Sequence, residues 1–268
     1  QSMSKLTSVS NPIVKWMRSL HDSKNRKSEH YFILEDWQCL KYLDSWLAHQ
    51  HRTKHTIFMI AETLDHNHHL YQWAMTAKSY PTKHYEVSQT VMSKISCRKH
   101  PSGVVVAVPE PPQINLGNLN HPTFLLDRVE KPGNVGAIMR TCVGMGIESL
   151  LLHNFQTDLW NHNLCRSSAG ACFHIDSFLT SESVLKKLLT TQKNRFVICT
   201  ANKSTPIHDF AFSKHDIIAF GSEHSGLSSA VESLANESIH IPMQNIDSMN
   251  VSVCAAMVAY ELSRQQLI

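Results

Sequence analysis

The chain has 268 residues, 42% of them apolar, so it can bury the core of two ordinary domains and is too apolar to stay disordered. Its 25 Lys and Arg against 22 Asp and Glu leave a net charge of +3, which excludes a strongly acidic or strongly basic chain. The longest apolar runs, such as Val104 to Val108, are too short to cross a bilayer, so no membrane role is expected.

Cys39, Cys97, Cys142, Cys165, Cys172, Cys199 and Cys254 contain no C-x-x-C pair. That argues against a disulfide scaffold or a thiolate zinc centre and for a reducing cytoplasm. No charged-then-apolar leader opens the chain, and Gln1-Ser2 ahead of Met3 reads as a remnant of expression. The charge is uneven. Residues 1–109 hold 14 Lys/Arg against 8 Asp/Glu, whereas residues 110–268 hold 11 against 14. A basic front half joined to a slightly acidic back half suits a nucleic-acid-gripping module fused to a module that does chemistry.

In chain order, Lys15, Trp16, Arg18, Lys24, Arg26 and Lys27 come first, combining charge with an aromatic ring on an expected helix and loop. Lys15, Arg18, Lys24, Arg26 and Lys27 are the candidate nucleic-acid contacts, against the alternative of a solvated face. Buried strands are expected at Tyr31 to Leu34, Ile57 to Ile60 and Val104 to Val108, with amphipathic helices near 37–48 and 67–78. His66, His68 and His69 lack an acidic or thiol partner at ligand spacing, so no metal is expected there. Pro109, Pro111 and Pro112 then forbid helix and central strand, marking a seam over 109–122.

Behind the seam, strands are expected at Thr123 to Leu126, Ser149 to Leu152, Phe196 to Thr200, Ile217 to Phe220 and Ser238 to Ile241. Helices near 135–145, 182–192, 225–235 and 251–266 alternate with them. This is the pattern of an α/β, doubly wound, mostly parallel sheet, which binds ligands beyond the carboxyl ends of its strands.

Three segments fall at those ends. Asn134-Val135-Gly136-Ala137-Ile138-Met139-Arg140 reads as a helix capped by Asn134, with Arg140 between Gly136 and Gly144 on one face. Gly221-Ser222-Glu223-His224-Ser225-Gly226-Leu227-Ser228 follows an apolar strand, and lacks both the P-loop ending and the dinucleotide G-x-G-x-x-G spacing. Ile241-Pro242-Met243 leads into Ser248-Met249-Asn250-Val251-Ser252, where Asn250 can cap the last helix.

Together the three resemble the signature motifs of the SpoU (TrmH-type) RNA 2′-O-ribose methyltransferases of the SPOUT superfamily. Met249 stands where leucine is usual, and His224 where glycine is common. Ser168-Ala169-Gly170-Ala171 matches a small-residue segment of the same family. Asn11-Pro12, Lys15, Leu20, Arg26 and a strand ending in Glu35 follow the opening of the substrate-binding domain often joined to it, with Asp36 replacing a glycine.

The resemblance implies an RNA-binding domain over 4–108, a linker over 109–122 and a SPOUT methyltransferase domain over 123–268 with a deep trefoil knot. It implies S-adenosyl-L-methionine as cofactor, held by Thr200, Ala201, Gly221, Glu223, Ile241, Met243, Met249 and Asn250. It also implies a catalytic group of Arg140, Asn134, Glu223, Ser248 and Asn250, a homodimer with no metal, and an RNA substrate. Ribosomal RNA is favoured over transfer RNA by the separate front domain.

Overall fold

Thr56 to Ala61 and Val104 to Pro109 are buried at every position, as their unbroken apolar pattern dictates, and both lie inside a five-stranded sheet. The computed structural model describes residues 3–50, 53–191, 194–201 and 204–268. Gln1-Ser2 and the expected end of a helix at residue 192 lie outside the described residues.

The elements of the front half run β1 (Ser4–Leu6), α1 (Pro12–Ser19), α2 (Ser23–Glu29), β2 (Tyr31–Leu34), α3 (Trp37–Ala48), β3 (Thr56–Ala61), α4 (His69–Met75), β4 (Thr82–Val87), α5 (Gln89–Ile95) and β5 (Val104–Pro109). They continue with β6 (Thr123–Asp127), α6 (Pro132–Met145), β7 (Ser149–His153), α7 (His162–Ser168), β8 (Asp176–Thr180), α8 (Glu182–Thr191) and β9 (Arg195–Cys199). The last are β10 (Thr205–Pro206), β11 (Asp216–Gly221), α9 (Ser229–Glu232), β12 (Glu237–His240) and α10 (Val251–Arg264).

The chain divides into two units, residues 1–112 with 160–173, and residues 113–159 with 174–268. In the first, the strand order is β1-β4-β3-β5-β2. Only β5 runs antiparallel to its neighbours, so β1, β2, β3 and β4 all end at one edge. Strand alternation sorts the two faces. Ile33, Ile57, Met59, Val105 and Ala107 pack on Val14 and Met17 of α1 and on Val91, Met92 and Ile95 of α5. On the opposite face Phe58 meets Trp73 of α4, and Phe32 meets Trp46 of α3.

Two features of this unit escape the sequence pattern. β4 reads Thr-Lys-His-Tyr-Glu-Val and carries no apolar run, yet it pairs with both β1 and β3. Pro109 is also the final residue of a strand rather than part of the seam. The pairing of β5 with β3 extends only to Ala107, and Pro109 meets only Tyr31 of β2.

The segment Trp160–Phe173 packs in this first unit although the sequence places it in the back domain. Trp160 stacks on Phe32 with centroids 4.4 Å apart, and the Cys39 thiol donates to the Cys165 carbonyl at 3.0 Å. The small-residue match at Ser168 to Ala171 has a local cause. Ala169 and Gly170 are both left-handed, at φ 50° and 90°, and a Cβ on Gly170 would stand 2.4 Å from the Tyr42 ring.

The second unit holds a seven-stranded sheet, β10-β12-β9-β11-β6-β7-β8, with every described pairing parallel. Phe124, Phe196 and Phe220 are fully buried in it, each contributing about 1.5–3 kcal/mol by the usual transfer scale. α10 packs along α6, which sets the third motif beside the first. One expected helix is much shorter than its pattern. Residues 222–226 fold back on themselves, with Ser222 N–H donating to Gly226 O and the reverse, so α9 starts only after Ser228 caps it.

Candidate active site

Because β6, β9, β11 and β12 are parallel, Asp127, Cys199, Gly221 and His240 all finish at one edge of the sheet. A cavity of about 300 Å³ opens there. Thr200 and Ala201 line it after β9, as do Gly221 at the end of β11 and Glu223 just beyond. Ile241 and Met243 line it after β12, with Ser248 and Met249 ahead of α10. Asn250 flanks this wall without being part of it. Gly221 is required by close packing: a Cβ there would lie 2.2 Å from the carbonyl carbon of Gly226. The backbone on either side of residues 222–226 therefore touches itself, and the loop edge can approach a ligand through its peptide groups.

Side-chain hydrogen bonds join the three motifs. Asn134 donates its amide to the Glu223 carboxylate, and accepts at 3.2 Å from the Asn250 amide. The Asn250 carbonyl in turn accepts from Ser252 N–H at 2.8 Å and from the Ser252 hydroxyl at 2.6 Å. Each amide is thus oriented by its neighbours: a carboxylate can only accept, and a helix N–H can only donate. Asn250 does cap α10, as the sequence suggests, while its amide NH₂ faces the first motif.

Asn134 does not cap its helix. Pro132 begins α6, where its missing N–H costs nothing, and Asn134 sits two residues inside with its side chain free to cross to Glu223.

Arg140 lies on the exposed side of α6 and is not in the cavity wall. It is six residues, or about 9 Å of helix rise, beyond Asn134. No lysine or arginine of the described residues lines the cavity. Cys199 and Cys254 do line it, and burial pushes the Cys199 thiol up to about 12 and the Cys254 thiol upward as well. Both are neutral, and the wall is largely uncharged apart from Glu223, Glu232 and Asp247.

Two residues that motif reading missed hold the second motif in place. Asp127, fully buried, accepts from Ser228 N–H at 2.6 Å and from the Asn154 amide at 3.1 Å. Arg128, left-handed at φ 56°, donates to the carbonyls of Ser225 and Gly226 at 3.3 and 3.2 Å. An acid closing an apolar strand, as in Leu126-Asp127, was the only signal for this clamp in the sequence.

In the first unit, Lys15, Arg18, Lys24 and Lys27 are exposed. Arg26 is corrected: it is 3% exposed, and its guanidinium donates to the carbonyls of Leu20 and His21 at 2.8 Å. Those carbonyls follow the last turn of α1, where a buried cation satisfies them, so Arg26 ties α2 to α1 and has nothing to offer RNA. The Trp16 ring is also engaged, donating to Glu29 at 3.0 Å and standing edge-on to Tyr31. Among the described residues no group of three or more His, Cys, Asp or Glu could hold a metal ion, and no helix is long and apolar enough to cross a membrane.

Comparison with known proteins places these features. The model of the SpoU rRNA methylase family matches residues 121–260, and that of the MRM3-like substrate binding domain matches residues 11–106. An uncharacterised tRNA/rRNA methyltransferase of Synechocystis is 30% identical over 270 residues, covering 97% of this chain and 94% of its own. A 23S rRNA (guanosine-2′-O-)-methyltransferase of Acinetobacter baylyi is 29% identical over 195 residues, 68% of this chain and 78% of its own. A solved RNA 2′-O ribose methyltransferase superposes with a TM-score of 0.80 at 27% identity, covering 98% of this chain and all of that one. The SpoU methyltransferase AviRb of Streptomyces viridochromogenes, solved with AdoMet, shares the fold with a TM-score of 0.83 at 19% identity, covering 96% and 98% of the two chains.

Proposed function

This chain belongs to the SpoU rRNA methylase family of RNA methyltransferases, and on that premise we propose that it methylates a ribose 2′-hydroxyl of ribosomal RNA using S-adenosyl-L-methionine. The observation that carries the reading is the hydrogen-bonded line Glu223–Asn134–Asn250, which ties all three motifs together at the rim of one cavity.

The cavity suits that cofactor. At about 300 Å³ it is at the lower end of small-molecule sites, and Ile241, Met243 and Met249 offer an apolar slot for a flat base. The peptide groups of the Gly221 and Thr200 loops offer donors and acceptors for its edge. When bound, the cofactor supplies a methyl group already activated by a sulfonium, so the protein's work is alignment.

In this reading Asn134, fixed from both sides, and Asn250 orient the ribose, with Ser248 at the same rim. Glu223 holds Asn134 in place. Arg140 stabilises negative charge developing on the hydroxyl oxygen and positions a phosphate; its pKa makes it a poor base. Since Arg140 stands outside the cavity wall of its own chain, the reading includes a homodimer in which one protomer's arginine serves its partner's slot. Ala255 and Ala259, whose small size suggests a partner's helix, are instead fully buried within the chain, and the exposed Val253, Met257 and Tyr260 are the apolar face that α10 offers for such a pairing. The reading also includes the trefoil knot, a cytoplasmic site of action, no metal, and RNA binding by residues 4–108 through Lys15, Arg18, Lys24 and Lys27.

Methyl-labelled cofactor incubated with ribosomal RNA tests it. Label recovered in alkali-resistant dinucleotides is expected, because a methylated 2′-oxygen cannot attack the neighbouring phosphate. Label recovered only in bases would overturn the ribose assignment.

A further inference from the structure

β1, β2, β3 and β4 of the first unit all end at one edge, so the loops that follow them gather there. Glu35, which follows β2, is only 5% exposed at that edge. A buried carboxylate needs donors, and this one has them from a single loop. Its oxygens accept from the Ser96 hydroxyl at 2.7 and 2.9 Å, from Cys97 N–H at 3.1 Å and from Ser102 N–H at 3.1 Å. The Ser102 hydroxyl donates back to the Glu35 carbonyl. Both ends of the loop 96–102 are therefore pinned to one side chain, and the residues between them, Arg98, Lys99 and His100, are exposed.

Rings continue the surface. Arg98 reaches Asp36 at 3.9 Å; the next residue is Trp37, whose ring stands 5.0 Å from His69, and His69 lies 4.4 Å from His68. Ala61 N–H bonds the Gly103 carbonyl, so the end of β3 and the end of the cationic loop are directly joined. A rigidly held loop of cations beside half-exposed aromatic and imidazole faces is the chemistry that recognises unpaired nucleotides: phosphates go to the cations and splayed bases stack on the rings.

We infer that this edge, built from the Glu35-anchored loop 96–102 and the Trp37–His69–His68 rings, binds an unpaired segment of the substrate RNA, with Glu35 as the positioning residue. The inference rests on the RNA-methylating reading and deepens it.

The experiment measures affinity of the full chain for an unstructured oligoribonucleotide, and for the same strand in a duplex, across a salt series. Arg98→Ala/Lys99→Ala should weaken single-strand binding at least tenfold and flatten the log–log salt slope by about 1.4, since each phosphate contact on a single strand contributes about 0.7. His69→Ala should weaken single-strand binding about fivefold, the lower end for one lost stacking partner, and leave duplex binding unchanged. Lys186→Ala/Lys214→Ala removes the same charge from exposed sites of the other unit and should change little.

Glu35→Gln separates position from charge. It makes the chain more positive, so electrostatics alone would tighten RNA binding. An amide N–H facing Ser102 N–H or Cys97 N–H should instead release the loop and weaken it. Tighter binding by Glu35→Gln, or wild-type affinity and slope in Arg98→Ala/Lys99→Ala, would overturn the inference. Titration of S-adenosylmethionine into each variant keeps the two claims apart. Cofactor binding intact with RNA binding unchanged sinks this surface alone, whereas a wild-type chain that binds no cofactor sinks the methylation reading.

Discussion

Each unit gathers the carboxyl ends of parallel strands at one edge and uses them differently. In the second unit, residues 113–159 with 174–268, the loops close around an apolar cavity of about 300 Å³ that no lysine or arginine of the described residues lines. In the first, the loops spread exposed cations and rings, and the cavity beside Glu35 and Cys39 is only about 30 Å³. Both edges are tied down by a buried acid: Asp127 accepts one backbone N–H, from Ser228, and Glu35 accepts two, from Cys97 and Ser102. The same anchoring device thus serves a slot that fits a small molecule and a surface that fits a polymer. What differs is the side chains the loop presents.

Several changes should break or sharpen that contrast. The largest effect is expected from Gly221→Ala. A Cβ placed 2.2 Å from the Gly226 backbone must displace the loop, so cofactor binding measured by calorimetry should be lost while RNA affinity holds. Equal loss of both would mean that the slot and the RNA surface are not separable.

Arg140→Ala comes next. The arginine stands outside the cavity wall, so cofactor affinity should stay within a few fold while methyl transfer falls about 10²–10³-fold, by analogy with removal of an oxyanion donor. A parallel collapse of cofactor binding would place Arg140 in the wrong role.

In the first unit, Asp44 accepts from Tyr80 Oη, Trp73 Nε1 and Lys78 Nζ, and the Lys78 side chain is only 2% exposed. Asp44→Ala leaves that ammonium without its counter-charge. Unfolding by urea should show a loss of about 3 kcal/mol, at the low end for a broken buried pair because Asp44 itself is partly exposed. A loss below the error of the measurement would show that water already reaches Lys78.

Smaller still is the effect of Asn250→Ala. Loss of the α10 cap should cost about 1 kcal/mol of stability, and the unsupported Asn134 amide should lower transfer more than cofactor affinity. The pH response of the slot is the mildest test. Burial raises the Cys199 thiol from 9 to about 12, so its proton stays on throughout the ordinary thiol range. Cofactor affinity should therefore show no step near pH 9 that Cys199→Ser abolishes; such a step would mean that water reaches the thiol.

Much of this was legible in the residues. The strands at Tyr31 to Leu34, Ile57 to Ile60 and Thr123 to Leu126 declare themselves because each is covered on both faces and needs no alternation. α3 matches its expected bounds, its buried residues Cys39, Leu40, Leu43 and Leu47 falling at helical spacing. The motif residues of the cavity were legible as motifs. The partners that hold them were not, because Asp127 and Arg128 act on residues about a hundred positions away and no local pattern records that.

The same blindness explains Arg26. Its neighbours in sequence are exposed cations, and only the packing of α2 against the end of α1 turns its guanidinium inward. It also explains why the domain bounds expected from the sequence, 123–268 for the back domain, enclose Trp160–Phe173, a segment that packs in the first unit. Trp160 and Phe173 pack beside Phe32 and Trp46, and a chain cut to those bounds would strip both rings of those partners.

The contrast between slot and surface is tested most directly by filling the slot. Met249→Trp should crowd the cavity with an indole. Titrations of S-adenosylmethionine and of ribosomal RNA into the chelator-treated wild type and this variant compare the two sites in one protein. The expected result is cofactor binding in the wild type without metal, its loss in Met249→Trp, and RNA affinity within twofold between the two. Undiminished cofactor binding in the variant, or RNA affinity lost together with it, would contradict the assignment of the two ligands to two separate edges.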